Sequence, residues 1–189
     1  MTETTSTVDD GRADLLAELA LAREIIIGTT EGLTDEQLGE RPTASSLCLG
    51  GLIKHVASTE AAWGRFVVEG TSAMATDLPE GVTWEDIFTG TATTWPQWAI
   101  DRQNDFQMLD GDTRESVIEH YRDVAVRTEE IIAGVTDLSR TTPLPEAPWN
   151  EPGASHSVRR VLIHLVAETS QHAGHAEIIR ESIDGRTTM

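Results

Sequence analysis

Apolar residues recur along this chain at the three- and four-residue spacing of a helix in several separate windows. Over 11–30, Leu15, Leu16, Leu19, Leu21, Ile25 and Ile26 keep that spacing and predict a first helix. A second is predicted over 49–69, with Leu52, Val56, Thr59, Trp63, Phe66 and Val67 inward, Lys54, Ser58 and Arg65 outward, and His55 at the edge of the inward arc. A third, over 114–135, carries the stripe Val117, Tyr121, Val124, Ala125, Thr128, Ile131 and Ile132, with Ile118 beside it. The last is the uninterrupted pattern SVRRVLIHLVAETSQHAGHAEIIRESID over 157–184. No run of alternating β-branched residues lies between turn pairs, so the expected fold class is all-α.

The segments between these helices are read from their punctuation. Leu33 to Leu38 resembles a short capped turn of helix with Thr34 or Asp35 as N-cap, ended by Arg41-Pro42. From 70 to 111 the pattern breaks into Pro, Gly, Thr and Trp, with short amphipathic pieces near 84–88 and 95–109; a connection of that length is expected to be functional or a lid. Residues 110–113 form a turn and an N-cap without the ligand spacing of an EF-hand. Residues 136–156 hold four prolines and Trp149 and form a second long loop, after which Ser155 or Ser157 caps the last helix and Gly185 ends it. Gly50-Gly51 belongs to no P-loop or dinucleotide signature, which leaves close packing as its explanation. The expected organisation is a disordered tail over 1–10, one domain over 11–185 and a short tail over 186–189.

A chain of 189 residues with 39% hydrophobic content suits one domain with a real core. The net charge of −18 argues against a nucleic-acid partner, which would need a basic surface, and disfavours anionic membranes. No apolar run of transmembrane length appears and the N-terminal residues lack the features of a signal peptide, so a cytoplasmic location is expected. The single cysteine, Cys48, rules out an internal disulfide and reads as a small apolar residue near a helix start.

Candidate chemistry concentrates on the last helix. At about 100° per residue, His164, Glu168, His172 and His175 fall within roughly 80° of arc, with Val161, Leu165 and Ile179 in or beside it. This polar stripe is expected to point inward, with Arg159, Ser170, Glu177, Arg180 and Glu181 on the solvent face. A buried carboxylate and imidazoles need partners, and a divalent cation is one candidate. Glu168 and His172 are spaced as a chelating pair on one helix face, and His55 is the natural third ligand from another helix. A His/Glu/His set leaves coordination positions open, as catalytic sites do. The competing reading, core histidines satisfied by hydrogen bonds, stands beside it. HExxH and GxSxG are both absent, and His120 reads as a surface residue. Trp63, Trp95, Trp98 and Trp149 could wall a pocket or serve as core or dimer contacts.

LCLGGLIKHVASTEAAWGRF, followed far downstream by SVRRVLIHLVAETSQHAGHAEIIRESIDG, resembles the DinB-like superfamily, in particular the branch that includes mycothiol-dependent maleylpyruvate isomerase and related actinobacterial proteins. The resemblance spans the chain from the first helix to Gly185 and implies a four-helix bundle with long crossover connections, often dimeric. It implies a divalent cation, zinc or nickel, held by His55, Glu168 and His172, and chemistry on a low-molecular-weight thiol such as mycothiol or bacillithiol. The glutamate at 168 favours the isomerase-like branch. On that reading the cation lowers the pKa of the thiol, and His175 is a neighbour of the ligands or a proton carrier, while His164 is structural. The alternatives are a non-catalytic protein that binds a metal or small molecule, and a structural dimerisation bundle.

Overall fold

The structure is a computed structural model that describes residues 11–74 and 76–187. Among them seven α-helices run in the order α1 (Arg12–Gly28), α2 (Asp35–Gly39), α3 (Leu49–Glu69), α4 (Trp84–Thr89), α5 (Gln97–Asp105), α6 (Arg114–Ala133) and α7 (Val158–Asp184). The four long ones, α1, α3, α6 and α7, make the expected all-α bundle: α3 packs against both α6 and α7, and α7 also packs against α1. Long connections link α3 to α6 and α6 to α7, as the resemblance implied. The tail expected over 1–10 lies outside the described residues.

Local sequence sets the helix ends. Thr34 and Gln37 form a capping box at α2, Thr83 and Asp86 do so at α4, and Thr113 and Ser116 do so at α6. Ser157 caps α7 by accepting from the Arg160 amide, and Gly185 stops that helix in the left-handed conformation at φ 75. The core divides along the bundle. One part gathers Ile26, Leu52, Val56, Tyr121 and Ile179; the other gathers Leu19, Phe66, Ile132, Leu162 and Leu165. His120 is exposed, as expected, and Cys48 is buried at the N-cap of α3.

Two features depart from the sequence reading, and a third was not read from it. Arg180 and Glu177 are buried instead of solvent-facing, because α1 covers that side of α7. The Arg180 guanidinium is satisfied there by Asp184, at 3.0 and 2.9 Å, and by the Thr29 carbonyl at 2.6 Å, just past the end of α1. A hairpin too short to give a periodic signal, β1 (Thr141–Pro143) with β2 (Ser155–Ser157), sits inside the second long loop and pairs antiparallel with Thr142 opposite His156. Finally, Arg23 and Glu60 are buried together between α1 and α3: Arg23 donates to both Glu60 oxygens, at 2.6 and 3.1 Å, and to Glu129 of α6 at 3.2 Å.

Part of the face of α3 predicted to be outward is covered too: Lys54 and Ser58 are half-buried, whereas Arg65 is exposed as expected. Gly51 packs so closely on the backbone of Phe106 that a Cβ there would collide with it, and one on Gly50 would collide with Met108. The Cys48 thiol donates to the Phe106 carbonyl at 3.7 Å, Lys54 to the Gln107 carbonyl at 3.0 Å, and the Ser58 hydroxyl to Asp105 at 2.9 Å. One side of α3 thereby clamps residues 105–108, directly after α5.

Candidate metal centre

His55 stands early in α3, and Glu168 and His172 stand one turn apart in the middle of α7. The packing of α3 on α7 brings the three together. Each offers one ligand-type atom, and these atoms lie within 4.8 Å of one another. Glu168 Oε1 is 3.3 Å from His55 Nε2 and 3.4 Å from His172 Nε2, and the two imidazoles meet edge to face with centroids 4.9 Å apart. His55 is 1% exposed. Its other nitrogen, Nδ1, is buried with no hydrogen-bond partner among the described residues.

Burial sets the protonation of the cluster. It pushes the His55 imidazole down to about 4, with the nearby charges of Arg102 and His172 acting in the same direction and Glu168 opposing them. Burial also lowers His172, against the raising effect of Glu168. For Glu168 burial acts upward, but its hydrogen bond to His55 and the positive ends of His172, His55 and His164 outweigh it and hold the carboxyl below its ordinary value. At neutral pH the set is two neutral imidazoles and one carboxylate.

That donor set fits a cation better than it fits hydrogen bonding alone. One oxygen faces two imidazole nitrogens at 3.3 and 3.4 Å, longer than the usual N–H···O bond of about 2.9–3.0 Å. Donors 2.0–2.1 Å from a tetrahedral zinc stand about 3.3–3.4 Å apart, the spacing of Glu168 Oε1 from each imidazole nitrogen, and the whole set lies within 4.8 Å.

The rest of the predicted stripe divides. His175 is exposed, not inward, because it lies where the face of α7 turns out of the contact with α3; its Nδ1 is 3.4 Å from His172 Nδ1. His164 is partly buried one turn before Glu168, edge-on to Trp63 at 5.0 Å, with its imidazole lowered chiefly by burial. Two neighbours were not anticipated. Phe106 stacks on His55 with centroids 4.0 Å apart and an interplanar angle of 23°, and the Arg102 guanidinium carbon stands 5.9 Å from the centroid of the Phe106 ring. The hairpin likewise brings His156 parallel to Trp63 at 5.5 Å. The Gly50-Gly51 pair was the one signal in the sequence for the close approach that seats Phe106.

A four-helix bundle with a His/Glu/His cluster between its second and last long helices defines the chain as a DinB-like protein. Residues 14–185 match the Mycothiol-S-transferase family, and the chain belongs to that family. The fold is shared with a crystal structure described as a conserved protein from Enterococcus faecalis, at a TM-score of 0.62 and 13% identity over 95% of this chain and 100% of that one. No curated protein matches the chain. Among the described residues no helix is long and apolar enough to cross a membrane.

Proposed function

We propose that this chain is a divalent-metal-dependent enzyme that uses mycothiol as its thiol substrate, with His55, Glu168 and His172 as the metal ligands and zinc, or else nickel, as the metal. The observation that carries the reading is the convergence of three ligand-type atoms within 4.8 Å, in a chain that matches the Mycothiol-S-transferase family. Bound there, a divalent cation supplies Lewis acidity that lowers the pKa of a thiol.

The residues supply the remainder. His55 and His172 remain neutral at physiological pH and so keep a lone pair for the metal, while Glu168 contributes the one negative charge. Phe106 and the covering segment keep water from one side of His55. His175 accepts from the His172 Nδ1–H at its own Nδ1 and so orients that ring; to carry the proton that the thiol loses it gives up this contact and takes the proton at Nδ1, and its exposure lets it pass that proton to solvent. Sulfur then forms its bond to an electrophilic carbon as the leaving group departs from that carbon. Transfer to an electrophile and thiol-assisted isomerisation both begin with this thiolate.

The test has two parts. Purified protein refolded with zinc or nickel is analysed for metal, and the metal-loaded form is assayed for S-transfer from mycothiol to a bimane electrophile. One equivalent of metal and metal-dependent turnover are expected. Absence of stoichiometric metal sinks the metal centre, and stoichiometric metal without turnover leaves a binding protein.

A further inference from the structure

A stripe of side chains on α5 leads away from the metal centre. Trp98, Arg102 and Phe106 are four residues apart, so they lie one above the next on a single face of the helix and its C-cap. Phe106 ends the stripe against His55 at 4.0 Å, and Arg102 lies over Phe106. At the far end Trp98 meets Trp84 at 5.8 Å, and Trp84 meets Trp149 edge to face at 5.1 Å. The Trp98 indole N–H donates to the Asp77 carbonyl at 3.2 Å, which fixes the orientation of its ring.

Nothing in the packing of the bundle calls for this assembly. Trp149 is 56% exposed, and Arg102 is exposed with no salt bridge among the described residues of a chain rich in carboxylates. Partly buried aromatic rings packed on one another and ending at an exposed Trp149, beside an exposed guanidinium and next to a ligand-type cluster, are the composition of a small-molecule site.

We propose that the stripe of α5, completed by Trp84 and Trp149, binds the carbohydrate part of the thiol while its sulfur lies at the metal centre. The proposal rests on the thiol reading above. Mycothiol is a neutral cysteinyl amide of a glucosamine–inositol pair. Its rings present C–H faces that stack on indoles and hydroxyls that accept from a guanidinium, which has five donors and no acceptor. The lengths agree. From sulfur to the first ring the cysteinyl amide arm extends about 6 Å by standard bond lengths, whereas Trp98 and Phe106 are separated by about 12 Å along the helix. The first ring therefore falls near Arg102 and the second on Trp98 and Trp84, with Trp149 at its edge.

The experiment is calorimetric titration of the zinc-loaded full chain with mycothiol and with N-acetylcysteine, which keeps the thiol and lacks both rings. The wild type is expected to bind mycothiol at least about tenfold more tightly than N-acetylcysteine. Trp98→Ala and, separately, the more conservative exposed-site change Trp149→Ala are each expected to remove most of that preference, with N-acetylcysteine affinity and zinc content unchanged. Equal affinity for the two thiols in the wild type overturns the proposal. So does wild-type mycothiol affinity in both variants, or no mycothiol binding at all. Failure of the metal centre reads differently: protein without stoichiometric zinc that still prefers mycothiol upholds the stripe and removes the metal.

Discussion

The ring of Phe106 lies 4.0 Å from the imidazole of His55 and within 23° of parallel to it, so a residue at the end of a short helix in the first long connection closes one side of a candidate ligand on α3. That contact is what couples the connection to the centre. It depends on a glycine: at position 51 the helix carries no side chain, and the backbone of Phe106 occupies the space a Cβ would need.

Gly51→Ala is therefore expected to push residues 106–107 off α3, destabilising the protein by about 1–3 kcal/mol and weakening metal binding through the loss of the Phe106 stack. Gly174 is the control. A Cβ at that helical position meets nothing within 4 Å, so Gly174→Ala should stabilise by about 0.5–1 kcal/mol. Urea unfolding and zinc competition on both variants check the pair, and an unperturbed Gly51→Ala protein would refute the clamp.

Removing any of the proposed ligands, as in His55→Ala, Glu168→Gln or His172→Ala, should abolish stoichiometric metal while the helical circular dichroism spectrum persists. His175→Ala should be milder. By freeing Nδ1 of His172 it is expected to weaken metal binding about 10–100-fold without abolishing it. Full metal content and affinity in His55→Ala would show that the third ligand is another residue.

Glu60→Ala should be costly for a different reason. It leaves the Arg23 guanidinium buried with only the half-exposed Glu129 carboxylate in reach, at an expected loss of about 3–5 kcal/mol. Replacing both partners with apolar residues of similar volume should recover most of that stability. Chemical denaturation of the single and double variants measures the difference; a single-variant loss under about 1 kcal/mol would contradict a tightly buried pair.

The metal-free protein should lose stability as the solution is acidified from pH 6.5 towards pH 4. The unfolded chain protonates His55 near 6.5, whereas the folded chain does so only at about 4, so between those values the unfolded state binds more protons and gains on the folded one. This stability is complete above 6.5, and its loss for His55 is on the order of 3 kcal/mol. The lowered His172 and His164 add in the same direction, and Glu168, also lowered, begins to contribute a loss below its ordinary value of 4.5. Denaturation midpoints measured at pH 7.5 and 5 should differ accordingly, and equal midpoints would show that these imidazoles are not held neutral by burial.

Much of the architecture is determined by local sequence, because helical periodicity and capping act over a few residues. The bounds of α3, the stop at Gly185 and the caps at Thr34, Thr113 and Ser157 follow from residues within a turn of each end. The pairing of Glu168 with His172 is equally local, since a spacing of four residues on a helix fixes it. Sequence by itself could not decide which sides of α7 and α3 are covered by other parts of the chain. Arg180 and Glu177 are buried because α1 lies over them, and Lys54 and Ser58 are partly covered because residues 105–112 fold back onto α3. The same long-range packing brings His55 to Glu168, turns His175 out to solvent and seats Phe106 against His55. A periodic pattern records how a helix divides its own faces; which neighbour meets each face depends on contacts between segments far apart in the chain, and those exist only in the folded protein.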